Sequence, residues 1–171
     1  MNKNRILKSA VLTVLTLLWM VLIFMMSGAD DDESKAQSGS ICTFLCETFV
    51  DGFEDMTPEE QQTIEESLSF PVRKCAHLTE YAVLGALLAA TAASYTALQG
   101  ILQGHGSASA PRTMKPLVLP FIIGVLYAVS DEIHQLFVPG RAGQLRDVLI
   151  DSAGILIGMC LYRVLSRRRT S

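Results

Sequence analysis

Four long apolar stretches organise the chain, and they cover residues 9–26, 72–95, 117–138 and 147–165. Each is close to the ~20 residues that a helix needs to cross the ~30 Å hydrocarbon core of a bilayer. Backbone groups in lipid must be satisfied within their own segment, so stretches of this length favour helices over open strands. The pattern predicts an all-α fold: an integral membrane bundle of four transmembrane helices in a single domain over residues 1–171.

Composition supports a membrane protein. Of the 171 residues, 50% are hydrophobic and 18% are charged, against about 25% charged residues in a typical soluble domain. Ser27, Gly28 and Ala29 resemble a signal-peptide cleavage site, but the uncharged stretch before them is longer than the roughly 7–15 residues of a signal-peptide core. We therefore expect the first helix to stay uncleaved.

The distribution of charge predicts the orientation of the bundle. The two termini and the connection at residues 96–116 carry basic residues and no acidic one: Lys3, Arg5, Lys8, Arg112, Lys115, Arg163, Arg167, Arg168 and Arg169. All 17 Asp and Glu residues fall on the other side of the bundle or at the helix ends on that side. The positive-inside rule then predicts that both termini are cytoplasmic and that residues 27–71 form an acidic outer loop.

The two long connections differ in composition. In the outer loop, Thr57 suits an N-cap, Pro58 the first helical position and Glu60 the partner in a capping box, which predicts a short surface helix. The inner connection contains the run QGHGSASA, which is typical of a flexible loop, and we expect its His105 to be solvated.

The four cysteines do not indicate a zinc or redox motif. Cys42 and Cys46 are four residues apart, which suits helix packing better than a disulfide, while Cys75 and Cys160 lie at or within apolar segments. The sequence contains no CxxC pair. A zinc ribbon and a thioredoxin-like motif are therefore excluded.

Ionisable residues gather in three of the apolar segments. Outside the acidic loop the chain has five carboxylates: Glu80, Asp131, Glu132, Asp147 and Asp151. Because residues three and four apart share a helical face, each group forms a stripe. The stripe of the second segment is Lys74, His77 and Tyr81, with Glu80 beside it. The stripe of the third segment is Asp131, His134 and Gln135, with Glu132 to one side. The stripe of the fourth segment is Asp147, Asp151, Gly154 and Gly158. The two glycines of the last stripe are spaced for close helix contact.

Depth in the membrane brings the three stripes to a similar level. At ~1.5 Å per residue, Glu80 lies ~12 Å, Asp131 ~10 Å and Asp151 ~6 Å from the outer end of its helix. We predict that these groups form one polar site in the outer part of the membrane. The turn at residues 139–146 and the start of the second segment add basic residues to this otherwise acidic side, namely Arg73, Lys74, Arg141 and Arg146. An anionic ligand would be attracted to them.

Two segments, RKCAHLTEYAVLG and SDEIHQLFVPGRAGQLRDVLIDSAGILIG, resemble the VanZ-like family of bacterial membrane proteins, whose founding member is associated with low-level teicoplanin resistance. The resemblance covers residues 72–161. It implies a multi-pass protein of the bacterial cytoplasmic membrane that serves the cell envelope, with teicoplanin resistance as an extrapolation. It implies no established reaction and no assigned catalytic residue. The matching positions are Lys74, His77, Glu80, Tyr81, Asp131, Glu132, His134, Gln135, Arg141, Asp147 and Asp151.

We expect the site to handle an anionic headgroup, either of a membrane phospholipid or of a lipid-linked cell-wall intermediate, with no nucleic-acid partner and no cofactor. The candidates for acid–base chemistry are His77, Glu80, Asp131, Glu132, His134 and Asp151. The candidates for ligand binding are Arg73, Lys74, Tyr81, Gln135, Arg141 and Asp147. Intramembrane ionisable residues mark functional sites by default, and buried ion pairs add little net stability, so we favour a functional role. Asp131 and His134 are the residues on which this hypothesis depends most.

Three other interpretations stay open. Proton-linked transport would use the same carboxylates as relay groups, but the inner half of every segment lacks ionisable residues before Arg163. A metal would find ligand pairs in His77 with Glu80 and in Asp131 with His134, but nearby Lys and Arg would repel a cation, so we expect none. The third is a membrane interaction protein whose polar cluster only holds the helices in register.

Overall fold

The computed structural model describes residues 2–29, 31–102, 115–141 and 143–168, and within these residues it contains helices and no strand. The helices are α1 (Asn2–Ser27), α2 (Asp31–Phe49), α3 (Pro58–Leu102), α4 (Lys115–Gln135) and α5 (Leu145–Arg168), with a 3-10 turn at Phe53–Asp55. The prediction of an all-α fold is confirmed.

Four of these helices are long and apolar enough to cross a membrane, as predicted. The candidate spans are Lys3–Ser27, Pro58–Gly100, Leu117–Gln135 and Leu145–Arg168. Large apolar side chains on their outward faces stay exposed, including Leu18 at 60%, Leu126 at 63% and Leu161 at 54%. Such a surface suits lipid, which solvates apolar side chains as well as a protein interior does.

Helix α3 is much longer than the predicted span. It has 45 residues and continues through Pro71, so the predicted surface helix is not short: it is the first part of the same element. Its start is as predicted, because the N–H of Thr57 donates to the Glu60 carboxylate at 2.9 Å and the N–H of Glu60 donates to Thr57 Oγ1 at 3.4 Å. Pro71 removes one helical hydrogen bond, and contacts with α2 before it and with α1 and α5 after it keep the helix continuous.

The acidic region predicted as an outer loop is largely helical, because α2 packs antiparallel to the first turns of α3. Thr43 Oγ1 donates to Glu65 Oε1 at 2.6 Å, and the hydroxyls of Ser38 and Ser69 lie 3.5 Å apart. Cys42 and Cys46 are buried and unbridged on α2. Burial, with a contribution from the Glu65 carboxylate, raises the pKa of both thiols above the usual value.

Small residues allow α3 and α5 to approach closely, as the glycine spacing predicted. A Cβ added at Gly154 would lie 2.5 Å from the carbonyl oxygen of Leu78, and one added at Gly158 would overlap the carbonyl oxygen of Ala82. On α4, Gly124 leaves room for the side chain of Ile155, which is fully buried. Close backbone contact of this kind stabilises helix pairs in lipid, where the hydrophobic effect between helices is absent.

The end of α1, the start of the α3 span and the α4–α5 turn meet at one end of the bundle, here named the pocket end. Gln135 Nε2 donates to Ser27 Oγ at 2.7 Å there, and Arg141 donates to the hydroxyl of Ser34. The sequence predicts that this end faces outward. At the other end, α3 extends to Leu102, so the predicted inner loop is helical in its first part, while residues 103–114 with His105 lie outside the described residues.

Candidate functional site

A polar cavity of about 220 Å³ opens at the pocket end between α3, α5 and the α4–α5 turn. It is lined by Phe70, Arg73, Lys74, His77, Glu132, Gln135, Gly140, Arg141, Gln144, Asp147, Ile150 and Asp151. The structure therefore brings together eight of the twelve residues that we singled out in the sequence, from helices that are distant along the chain.

An ion pair forms one wall of this cavity. Lys74 Nζ lies 2.5 Å from Asp147 Oδ2, and the Nε of Arg146 lies 4.0 Å from Asp147 Oδ1. Both cations also lie over the ring of Phe70, at 5.3 Å for Lys74 and 5.2 Å for Arg146 from the ring centroid. Attraction to the ring face adds to the carboxylate in holding this positive charge at the mouth of the cavity.

The α4–α5 turn forms a second wall. Gly140 has φ +75°, which a residue with a side chain rarely adopts. Gly143 permits close packing on α4, since a Cβ there would lie 2.8 Å from the backbone oxygen of Glu132. The Glu132 carboxylate accepts the N–H of Gln144 at 2.8 Å. Glu132 thus anchors the turn that carries Arg141.

Arg73, His77 and Arg141 also line a second cavity, of about 140 Å³, on the α1 and α2 side. Its remaining lining residues are Met26, Ser34, Ser38, Ile41, Val72, Ala76 and Glu80. Apolar side chains form a larger share of the wall of this second cavity than of the wall of the first cavity. The three shared residues separate a polar cavity from a more apolar one.

Beneath the first cavity lies a group of three residues, one from each of α3, α4 and α5, in which the histidine is half-buried and the two aspartates are buried. His77, Asp131 and Asp151 each place a ligand atom within 4.8 Å of the other two. Asp131 is 1% exposed and Asp151 is 2% exposed. The Tyr81 hydroxyl donates to Asp131 Oδ2 at 3.2 Å. Among the residues that the structure describes, Asp131 Oδ1 and Asp151 Oδ2 accept no hydrogen bond.

Glu80 and His134 are not brought to the first cavity. The Glu80 side chain lines the second cavity, and its backbone carbonyl accepts the indole N–H of Trp19 on α1 at 2.9 Å. His134 stacks on the ring of Phe24, with 4.0 Å between centroids, and lines neither cavity. Residues three apart on a helix differ by a net angle of about 60°. That angle is enough for His134 to meet Phe24 of α1 and for Glu80 to line the second cavity alone.

Tyr81 is fully buried, so it supports Asp131 and does not line either cavity. The sequence missed Phe70, although Phe70 and Lys74 are four residues apart and share a helical face once the helix continues through Pro71. It also missed Ser34, because α2 was expected to be a loop. Gln144 carried a weaker signal: its place in the predicted turn.

Four apolar helices around a polar cavity near one end identify a multi-pass helical membrane protein. The profile of the VanZ/LLP1 family matches residues 12–166, so the chain belongs to this family. The match runs from α1 to α5 and confirms the resemblance drawn from the two segments of sequence. No curated protein and no solved structure matches the chain.

Proposed function

We propose that the polar cavity binds an anionic headgroup, of a phospholipid or of a lipid-linked cell-wall intermediate, at the outer face of the bacterial cytoplasmic membrane. One observation carries this proposal: Arg73, Lys74 and Arg141 line a single cavity at the end of a membrane bundle. Charge-assisted hydrogen bonds from Arg and Lys are the strong means of recognising phosphate and carboxylate groups.

The dimensions of the cavity favour a headgroup over a whole lipid. About 220 Å³ is below the ~300–1,000 Å³ of a pocket for a drug-sized molecule. The adjoining cavity, with Met26, Ile41 and Val72 in its wall, offers apolar surface next to the same two arginines. A polar and an apolar compartment that share Arg73 and Arg141 suit an amphiphile whose chain stays in the bilayer.

The distribution of charge supports access from outside. The acidic α2 and the first turns of α3 lie at the pocket end, whereas Arg163, Arg167 and Arg168 lie at the far end of α5. Under the positive-inside rule the pocket end is then the outer end. Headgroups of the outer leaflet lie at that level.

Direct binding tests the proposal. The detergent-purified protein is incubated with phosphatidylglycerol, with a polyprenyl phosphate or with neutral phosphatidylcholine, and bound lipid is counted by native mass spectrometry. We expect an anionic lipid to bind at least tenfold more tightly than phosphatidylcholine, and we expect Arg73→Gln to remove that preference. The two anionic lipids distinguish a general phospholipid ligand from a lipid-linked one. Arg168→Gln, which removes the same charge from the far end of α5, is the control. Equal binding of neutral and anionic lipid would contradict the proposal.

We extend the proposal to glycopeptide susceptibility, because the founding member of the family to which the chain belongs is associated with low-level teicoplanin resistance. A sensitive host carries an empty vector, the parent, Arg73→Gln or Arg168→Gln, with membrane levels matched by blotting. We expect the parent and Arg168→Gln to lower teicoplanin susceptibility and Arg73→Gln to leave it at the vector level. If the parent gives no protection, the proposed role in teicoplanin susceptibility is wrong. The proposal of headgroup binding is decided separately, by the lipid-binding measurement.

A further inference from the structure

We propose that His77, Asp131 and Asp151 form a binding site for a divalent transition-metal ion, best suited to zinc, at the floor of the polar cavity. The three residues come from α3, α4 and α5, and each has a ligand atom within 4.8 Å of the others. One imidazole and two carboxylates are a ligand set that zinc accepts.

Two buried oxygens without partners give independent support for an ion. Asp131 Oδ1 and Asp151 Oδ2 accept no hydrogen bond within the described part of the chain, and both side chains are at least 98% buried. The burial of an unpaired carboxylate carries a large desolvation penalty. A bound cation removes that cost for both carboxylates at once.

The contacts around Asp131 prepare it for this role. Tyr81 is fully buried and donates to Oδ2, which fixes the carboxylate and leaves Oδ1 for an ion. Partners of this kind orient metal ligands in known sites. Ligands of a tetrahedral zinc lie ~3.4 Å apart, from bond lengths of about 2.1 Å. Ligand atoms that all lie within 4.8 Å of one another are close to the separation that a single ion requires.

From the sequence we expected no metal, because Lys and Arg would repel a cation. In the structure Lys74 is paired with Asp147 at 2.5 Å, so its repulsion of a nearby cation is reduced. Glu132, Asp131 and Asp151 add further negative charge around the cavity and its floor. The ligand set also differs from the two pairs expected from the sequence. Glu80 and His134 are not part of it, and Asp151 of α5 joins His77 of α3 and Asp131 of α4.

His77 and Asp151 line the open cavity. A three-ligand site open on one side leaves a coordination position free, which is typical of zinc sites that bind a further ligand. A phosphate oxygen of the anionic lipid would fit that position. Only the binding of this phosphate oxygen rests on the proposed function; the binding of the metal ion does not.

The test uses zinc alone, on the full chain purified in detergent with a tag free of histidine. All four cysteines are replaced by serine so that thiolates cannot bind zinc. After EDTA treatment and dialysis against micromolar ZnCl2, metal is counted by inductively coupled plasma mass spectrometry. We expect about one zinc per chain, and we expect Tm to rise by roughly 5–10 °C at a hundredfold excess over Kd.

Asp151→Asn and His77→Gln should each lower the zinc affinity at least tenfold. Glu80→Gln, which removes a carboxylate from the adjoining cavity, should retain the parent stoichiometry. Size-exclusion profiles matched to the parent establish that each variant is folded. Absence of stoichiometric zinc in the parent, or zinc retained in both ligand variants, would overturn the proposal. Lipid binding that persists without zinc would leave the proposed function intact.

Discussion

Lys74 on α3 and Asp147 on α5 form an ion pair with 2.5 Å between Nζ and Oδ2, and the same two side chains line the polar cavity. The pair therefore joins two spans at the level where a ligand would enter. Its side chains are 22% and 10% exposed, which is intermediate between a surface pair and a buried one.

Removal of one member of this pair should destabilise the fold more than removal of both. Lys74→Ala leaves the Asp147 carboxylate largely buried without its cation, so we expect a loss between the ~0–1 kcal/mol of a surface pair and the ~3–5 kcal/mol of a buried one. The double variant should recover at least ~1 kcal/mol. A double-mutant cycle of unfolding free energies in detergent measures this, and strict additivity would show that the two residues are not coupled.

Gly158→Ala should be strongly disruptive, although alanine favours helices. The added Cβ would overlap the carbonyl oxygen of Ala82, so α3 and α5 must separate. We expect a loss of about 1–3 kcal/mol, as for overpacked cores. Gly100→Ala is the matched control, because no atom lies within 4 Å of its Cβ position and the helix preference of alanine should leave stability equal or higher. Thermal unfolding of both variants gives the comparison, and equal Tm values would refute the close contact.

His134→Ala should affect packing and leave ligand affinity unchanged. The imidazole stacks on Phe24 of α1 at 4.0 Å and lines neither cavity. The loss of such a pair costs about 0.5–1.5 kcal/mol beyond buried area. The lipid affinity of His134→Ala, measured by native mass spectrometry, should equal that of the parent, whereas the affinity of Arg73→Gln should be lower. A tenfold loss of affinity in His134→Ala would instead support the original emphasis on this residue.

The orientation can be tested with single cysteines in a cysteine-free background. Asp51 lies in the exposed turn after α2, and Arg168 lies at the end of α5. If both termini are cytoplasmic, a membrane-impermeant maleimide labels Asp51→Cys in intact cells and labels Arg168→Cys only after permeabilisation. The reverse pattern would invert the topology and place the polar cavity at the cytoplasmic face.

Cys42 and Cys46 should react slowly with maleimide at neutral pH. Burial raises the pKa of both thiols, so the reactive thiolate forms only above the usual range, and labelling should keep accelerating at pH values where an exposed thiol is already fully reactive. A Cys75→Ser, Cys160→Ser variant isolates the pair, and detergent denaturation provides the fully reactive reference. Folded and denatured protein reacting at the same rate would mean that α2 does not pack on α3 as described.

Local sequence patterns predicted the parts of the structure that local physics determines. The four spans follow from length and hydropathy, the start of α3 follows from the capping residues Thr57 and Glu60, and a close helix contact on α5 follows from the spacing of Gly154 and Gly158. Each of these depends on residues within a single helix and not on which helix lies beside it.

The remaining features depend on which neighbour each helical face meets. A polar sequence such as that of α2 becomes a helix here because Cys42 and Cys46 are buried on it and Thr43 is hydrogen-bonded to α3. Similarly, His77 and Glu80 lie within one turn of α3 and both line the second cavity, yet only His77 also lines the first. Periodicity assigns residues to faces but does not assign partners to those faces.

The helix α2 and the turns of α3 before Pro71 form an antiparallel hairpin. Because α3 continues through Pro71, the angle of this hairpin about the helix axis is fixed relative to the cavity. One inserted residue between Pro58 and Pro71 would turn the upper part of the helix by about 100° and raise it by about 1.5 Å, so Glu65 would no longer face Thr43. An insertion of seven residues would nearly restore the angle, but it would lift α2 by ~10 Å and separate Ser34 from Arg141. The hairpin is thus held at one angle and one height relative to the cavity, so a change in its length would require a compensating change in the α4–α5 turn to keep the contact between Ser34 and Arg141.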